Sequence, residues 1–372
     1  MSANNDTRTA PQEANAFLTR SARRAQIADE GAVLHLLGRF GLPMILVAVI
    51  VVFSLWQPDS FFSWINFNAT FAQQAIIVMV ALGAMIPLIV GEFDLSIGTN
   101  AGLAAILTVG LCQMQGLRPW PAIAIAVAVS GLVGLLNGLI VTRLKVNSFV
   151  ATLGMATAIG GFGQLYTHQQ DIPSAPTDLV AIGRAEVFNL PVTVIVALAT
   201  AAVLAVALQL LPIGRQLLAV GANRRAAELT GIRPDLRIVT SFLVGGLVAG
   251  VGGALYGANL GAAGNQTGAT LLLPAFAAAF LGSTTITPGR YNVLGTLVAV
   301  LLLAFTVSGL EQVGVQPWIE SVVQGIALIA AVAFSSWAIR RRTLHLRNAQ
   351  LALLRPTAPQ KDEPTEHEGA IA

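Results

Sequence analysis

The stretch LPVTVIVALATAAVLAVALQLL, residues 190–211, carries no charged side chain. About twenty predominantly apolar residues in helical form match the hydrocarbon thickness of a bilayer. Its length and Ala/Leu/Val content predict a membrane-crossing helix rather than a buried core helix. Nine further apolar runs flank it: near Phe40–Trp56, Phe71–Val90, Leu95–Met114, Trp120–Val141 and Phe149–Tyr166 before it, and near Ile238–Leu260, Leu271–Ile286, Val293–Leu310 and Trp318–Ile339 after it. The whole chain agrees with this reading. Of 372 residues, 55% are hydrophobic and only 10% charged, and the mean hydropathy is +0.73. Soluble domains carry about 25% charged residues, so a soluble enzyme is excluded. The single cysteine, Cys112, excludes a disulfide scaffold. An outer-membrane barrel would need alternating strands in place of unbroken runs. The expected fold class is therefore an all-α polytopic membrane protein with about ten transmembrane helices.

Charge placement orients the chain. With ten spans and an internal N-terminus, 19 of the 21 cations fall on the inner side, and only Arg118 and Arg184 remain outside. That bias is the positive-inside signature, which puts both termini in the cytoplasm. It also accounts for the net charge of +3 without a nucleic-acid partner, because the cations mark inter-span gaps rather than one phosphate-binding face. Three regions follow: a cytoplasmic N-terminal tail at 1–37, a transmembrane domain at 38–339 and a cytoplasmic C-terminal tail at 340–372. The first is expected to be a tail rather than a cleaved leader. Arg20 to Arg39 fits either an amphipathic helix lying on membrane lipid or a solvated segment. The C-terminal tail turns from basic (Arg340, Arg341, Arg342) to acidic (Asp362, Glu363, Glu366).

Several chemistries have no counterpart here. There is no G-x-x-x-x-G-K-S/T, no G-x-S-x-G and no H-E-x-x-H. The four histidines are scattered, so no metal site is expected. No cofactor is expected in this chain, and no catalytic residue. Ionisable residues inside the runs are nearly absent, whereas ion-driven carriers usually need them.

The inner linker after the sixth run is the most informative loop: Gly214, Arg215, Ala219, Gly221, Asn223, Arg224, Arg225, Ala226, Ala227, Glu228, Gly231 and Ile232. Asn223 is placed to cap a short helix. Ala226, Ala227 and Glu228 favour helix, and Gly231 suits the residue after its end. The product is a rigid cytoplasmic element bearing Arg224 and Arg225; an ordinary topogenic loop is the plainer alternative. A second segment, Gly91–Gly98, interrupts two apolar runs with Glu92 and Asp94, where Asp94 and Ser96 can cap the next helix. Asn137, inside the fourth run, needs a hydrogen-bond partner, and Gly131, Gly134 and Gly138 allow close helix approach.

These segments resemble the permease subunits of ribose/xylose/arabinose-type ABC sugar importers. The linker matches G-R-x-x-x-A-x-G-x-N-x-x-A-A-x-x-x-G-I at Gly214, Arg215, Ala219, Gly221, Asn223, Ala226, Ala227, Gly231 and Ile232. Asp94, Leu95, Ser96 and Gly98 match a D-L-S-V/I-G motif, and Glu92 stands where many members have a small or apolar residue. Gly134 to Gly154 resembles G-x-x-N-G-x-x-V followed by K-V-x-x-F-I-A-T-L-G, with Asn147 in place of a frequent proline. Gly282, Gly289 and Gly295–Thr296 match a further glycine-rich motif from which Ser283, Pro288 and Arg290 depart. The resemblance spans Phe71 to Val332 and leaves both tails unexplained.

The resemblance implies a non-enzymatic permease of a bacterial inner membrane. It implies a second permease copy, a cytoplasmic ABC ATPase docking on the linker, and a periplasmic sugar-binding protein. The solute would be a monosaccharide or related small polyol. Glu92, Asp94, Ser96 and Asn137 become candidates for the pathway or its gate. Phe93, Phe162, Phe276, Phe280, Asn259 and Gln324 are candidates to line a cavity, with core or lipid contact the default for the aromatics. Asp171, Asp178, Arg184 and Glu186 could meet the binding protein or simply be solvated. A self-sufficient secondary carrier is the alternative function. Gly91 and Gly98 share a seven-residue spacing with Gly282 and Gly289, a weak echo of an internal pseudo-repeat.

Overall fold

The computed structural model describes residues 39–333 except 317. The two expected tails, 1–37 and 340–372, and residues 334–339 of the tenth run lie outside these residues. Every one of the ten apolar runs is helical: α1 Arg39–Trp56, α2 Trp64–Ile89, α3 Ile97–Gln113, α4 Pro119–Arg143, α5 Ser148–Tyr166, α7 Val192–Gln209, α10 Pro234–Leu260, α11 Thr267–Gly282, α12 Val293–Gln312 and α13 Trp318–Ala333. Among the described residues, seven of them are long and apolar enough to cross a membrane; α3, α11 and α13 are shorter. The chain is therefore a multi-pass, all-α membrane protein. Three short helices complete it: α6 Thr177–Gly183, α8 Pro212–Ala222 and α9 Arg224–Leu229. A two-stranded hairpin, β1 Glu186–Val187 and β2 Leu190–Pro191, turns through Phe188 and Asn189, both at positive φ as a primed turn requires.

The second and eighth runs differ most from the sequence reading. The second helix begins at Trp64 rather than Phe71, because the Ser63 hydroxyl caps it by accepting from the Asn66 N–H at 3.2 Å. The eighth run spans Thr267–Gly282 rather than 271–286. Ser283 and Thr284 turn their hydroxyls back onto the Phe280 and Leu281 carbonyls, and Ile286 takes φ +61°.

Helix α10 is the central pillar, packed against α2, α3 and α4. The approach is backbone to backbone. A methyl on Gly253 would overlap the Ala101 carbonyl, and one on Gly134 would overlap that of Phe242. Lipid supplies no hydrophobic force between helices, so small residues that permit such packing are what bind them. Around these seams Met79, Leu82, Met85 and Phe242 are fully buried.

In local geometry the counterpart of Gly91–Gly98 is Gly261–Gly268 rather than Gly282–Gly289. Gly91 (φ +87°) ends α2 and Gly261 (φ +73°) ends α10, and each is followed seven residues on by a glycine, Gly98 or Gly268, in the first turn of a short helix. Helices α2 and α10 lie antiparallel, with Gly83 against Gly245 and Met79 against Gly252. The lead-ins thus enter from opposite ends of the bundle, and α3 and α11 cross at their N-termini. There a Cβ on Gly98 would stand 2.6 Å from the Gly268 carbonyl oxygen. Gly282 instead packs on Gly295–Thr296, and Gly289 (φ +81°) sits in a turn.

The two ends of the bundle differ in charge. Arg39 meets the α11–α12 loop, where its carbonyl accepts from Ile286 N and Thr285 Oγ1. Arg143, Lys145, Arg215, Arg224, Arg225, Arg233, Arg237 and Arg290 lie at that same end, and Arg118 and Arg184 at the far end.

Candidate functional site

The linker folds as its residues dictate. Helix α8 starts on Pro212, which needs no N–H partner at a first helical position. Asn223 ends α8 and caps α9, its Oδ1 accepting from Ala226 N at 3.0 Å. Gly231, at φ +83°, closes α9, with Ile232 N donating to the Ala227 carbonyl at 3.1 Å. Small residues seat this element on the bundle. Ala227 is buried, a methyl on Gly221 would overlap the Ile89 carbonyl at the end of α2, and Gly214 lies against the Leu208 backbone. Arg215, Ala226, Glu228 and Leu229 face outward, and Leu229 is 77% exposed.

Arg224 is the hub of an ion network. It pairs with Asp235 in the first turn of α10 and approaches Glu92 Oε1 at 3.8 Å. Lys145 Nζ donates to the other Asp235 oxygen at 3.2 Å. Arg225 turns away to Glu228 at 2.8 Å within α9. Glu92, the residue that departs from the resembled motif, therefore ties the Gly91–Gly98 segment to α9. A groove of about 1120 Å³ beside the network is lined by Arg143, Arg225, Arg233 and Glu228 among others.

The Gly91–Gly98 segment holds a second polar node. Asp94 Oδ1 accepts from Ser96 N at 3.0 Å, Ser96 Oγ at 2.6 Å and Asn137 Nδ2 at 3.4 Å. Asn137 Nδ2 also donates to Ser96 Oγ at 2.8 Å, which supplies the partner its burial demanded. Asp94, Ser96 and Asn137 are all at most 1% exposed. Ser96 sits at the N-cap of α3 without capping it, because its hydroxyl is committed to Asp94. Helix α5 braces the same segment: Phe93 N donates to Ser148 Oγ at 3.2 Å and Leu95 N to Thr152 Oγ1 at 3.0 Å. Asn147, in the place of a frequent proline, caps α5 by accepting from Phe149 N at 2.9 Å.

Other candidates scatter. Phe276 and Phe280 are buried and stack, Phe93 leans on Phe280, and Phe162 is exposed on α5. Arg184 donates to the Asn259 and Leu260 carbonyls, capping the end of α10, and Asp171 accepts from Asn265 N at 3.1 Å. Both therefore hold the far end of the fold together. Asn259 and Gln324 do line cavities there.

With this geometry in place, comparison with known proteins is decisive. Residues 66–332 match the family described as branched-chain amino acid transport system / permease component. The chain belongs to this family. Among its relatives is a ribose import permease protein of Bacillus subtilis strain 168, 31% identical over 289 residues, which are 77% of this chain and 89% of the relative. A D-allose transport system permease protein of Escherichia coli K12 is 29% identical over 79% of this chain and 90% of its own length. An autoinducer 2 import system permease protein of Yersinia enterocolitica is 28% identical over 85% of this chain and 89% of its own length. No solved structure matches the chain. The matched region covers the Asp94 node, the linker and the whole of the central pillar.

Proposed function

We propose that this chain is the transmembrane permease subunit of an ATP-driven importer, translocating a monosaccharide or related small polyol. The observation that carries the reading is the family match across residues 66–332, joined to a capped, outward-facing helix α9 on a basic end of the bundle. Relatives named for ribose and allose support the solute class. A family member of this kind works with an ATPase on another chain, so the self-sufficient carrier is not retained.

In this proposal the basic end is cytoplasmic, in a bacterial inner membrane, by the positive-inside bias. All ten apolar helices cross or enter the bilayer, and both termini lie inside. The α8–α9 linker, Gly214 to Gly231, receives the ATPase, with Arg215, Leu229 and the exposed Arg225–Glu228 pair positioned to meet it. A periplasmic sugar-binding protein delivers solute at the far end, and two permease copies enclose the path.

Asp94, Ser96 and Asn137 act as a gate pivot rather than as solute contacts, because they are sealed from solvent. Their hydrogen bonds fix the α3 lead-in against α4, and α5 braces it from the other side. Force on α9 reaches that lead-in through Arg224 and Glu92. The chain supplies no nucleotide chemistry of its own; its residues supply a rigid handle, a pivot and a path.

The test is uptake in proteoliposomes holding this permease, its ATPase and its binding protein. The proposal expects concentration of labelled D-ribose, D-allose or D-galactose that needs ATP and the binding protein and resists an uncoupler. Uphill uptake by this chain alone, abolished by an uncoupler, would refute it.

A further inference from the structure

Lipid-facing helices should not carry amides, because unpaired polar groups in hydrocarbon cost several kcal/mol each. The far half of this bundle nevertheless concentrates them. Asn66 and Gln74 on α2, Ser308 and Gln312 on α12, and Glu320 and Gln324 on α13 converge on one cavity of about 240 Å³. Their hydrogen bonds are only partly used among themselves. Ser308 Oγ donates to Asn66 Oδ1 at 3.2 Å, Gln312 Nε2 to Ser308 Oγ at 3.4 Å, and Gln324 Nε2 to Glu320 Oε1 at 2.9 Å. The Gln312 Oε1 is buried in the cavity wall with no partner among the described residues. A neighbouring cavity of about 300 Å³ between α2 and α10, lined by Tyr256 and Asn259, shares Gln73 and Ala69 with the first. Two polar-lined cavities therefore meet at Gln73.

The chemistry of the lining selects a ligand class. Amides offer donors and acceptors side by side, the match for hydroxyl groups that also do both. The carboxylates Glu311 and Glu320 add acceptors, and no Arg or Lys lines the cavity among the described residues. An anionic ligand is thereby disfavoured, and it is the paired donors and acceptors of the amides that suit a neutral hydroxylated one. Val300, Leu303 and Val307 provide an apolar wall for C–H faces. The volume lies below the range of about 300–1,000 Å³ for drug-sized ligands, as suits a single small ring.

We propose that this cavity is a low-affinity vestibule for a neutral polyhydroxylated solute, read by Gln74, Gln312 and Gln324. The inference rests on the importer reading for its solute class, but the existence of a wet, hydroxyl-selective chamber stands on the cavity itself. The site is reached from the end opposite the linker, ahead of the crossing of α3 and α11. Its groups hold solute loosely, as a transit site must.

The experiment places single cysteines in the full-length chain in a Cys112→Ala background: Gln74→Cys, Gln324→Cys and, at the shared rim, Gln73→Cys as a milder variant. The reconstituted protein is treated with a membrane-impermeant, positively charged thiosulfonate from the side opposite the linker. The vestibule predicts labelling at all three positions. It also predicts labelling slowed severalfold at Gln74→Cys and Gln324→Cys by high millimolar D-ribose, D-allose or D-galactose, and unaffected by equimolar potassium chloride. Failure of the reagent to react at positions 73, 74 and 324 overturns the wet chamber. Labelling that none of the three sugars slows overturns the hydroxyl-reading site. Labelling and sugar protection without uptake by the wild-type assembly would support the vestibule while failing the importer reading alone.

Discussion

Breaking the Glu92–Arg224 pair should loosen the transmission between motor and gate without unfolding the bundle. The perturbation is the isosteric Glu92→Gln, the charge-removing Arg224→Gln and the double variant. The pair is separated by 3.8 Å, with the Glu92 side chain 18% exposed and that of Arg224 47% exposed. At about 4 Å the Coulomb term runs from about 1 kcal/mol in water to about 4 kcal/mol at an effective dielectric of 20. Partial exposure and side-chain entropy cut the net value towards the surface range, about 0.5–1 kcal/mol. That is a roughly two- to fivefold change in any equilibrium the pair biases. Arg224→Gln should cost more than Glu92→Gln, because Arg224 also holds Asp235. The assay is sugar taken up per ATP hydrolysed by the reconstituted importer. Glu92→Gln should lower this ratio roughly two- to fivefold, and Arg224→Gln should lower it further. The double variant should be no worse than Arg224→Gln alone, and raised salt should shrink the wild-type advantage by screening. Charge exchange should not rescue, since a carboxylate at position 224 would face Asp235. Additive losses in the double variant, or an unchanged ratio in all three, would refute the strut.

Three further outcomes are expected. Asp94→Leu strips the acceptor of the Ser96 N–H and hydroxyl and leaves these two buried donors short, at about 1–3 kcal/mol each, while Asn137 keeps the Ser96 oxygen; uptake should fall at least tenfold, and full activity in the same transport assay would reduce the node to a dispensable turn. Ala227→Glu forces a charge into the buried seat of α9; membrane insertion should persist on blots while binding-protein-stimulated ATP hydrolysis falls severalfold, and wild-type stimulation would contradict the docking role. Gly253→Val drives a side chain into the Ala101 carbonyl; overpacking typically costs about 1–3 kcal/mol and more against backbone, so the detergent-solubilised protein should lose several degrees of melting temperature, and an unchanged transition would show that α3 and α10 are not in such close contact.

Much of this molecule is legible in its sequence because membrane spans and helix caps are local signals. Each apolar run is a helix, and Asn223 and Gly231 bound α9 as their chemistry requires. What escaped was non-local. Glu92 looked anomalous because its partner Arg224 is brought to it only by the fold. The likeness of Gly91–Gly98 to Gly261–Gly268 is not legible because the two segments share helix-ending geometry rather than residue identity: Asp94, Leu95 and Ser96 correspond in place to Gly264, Asn265 and Gln266. The polar vestibule was hidden because Asn66, Gln312 and Gln324 read as isolated polar residues in separate runs. Gln324 stood out singly as a cavity candidate, but only packing joins it to α2 and α12. The amides also diluted the start of α2, which is why its first turns were missed.

The central claim is that the linker bearing Arg224 is a cytoplasmic handle pulled by a separate motor. Leu229→Cys, on the outward face of α9 in a Cys112→Ala background, tests it by sided labelling with an impermeant thiol reagent. The account predicts reaction only from the cytoplasmic side, lost when the ATPase is bound. Reaction from the periplasmic side, or labelling indifferent to the ATPase, would contradict it.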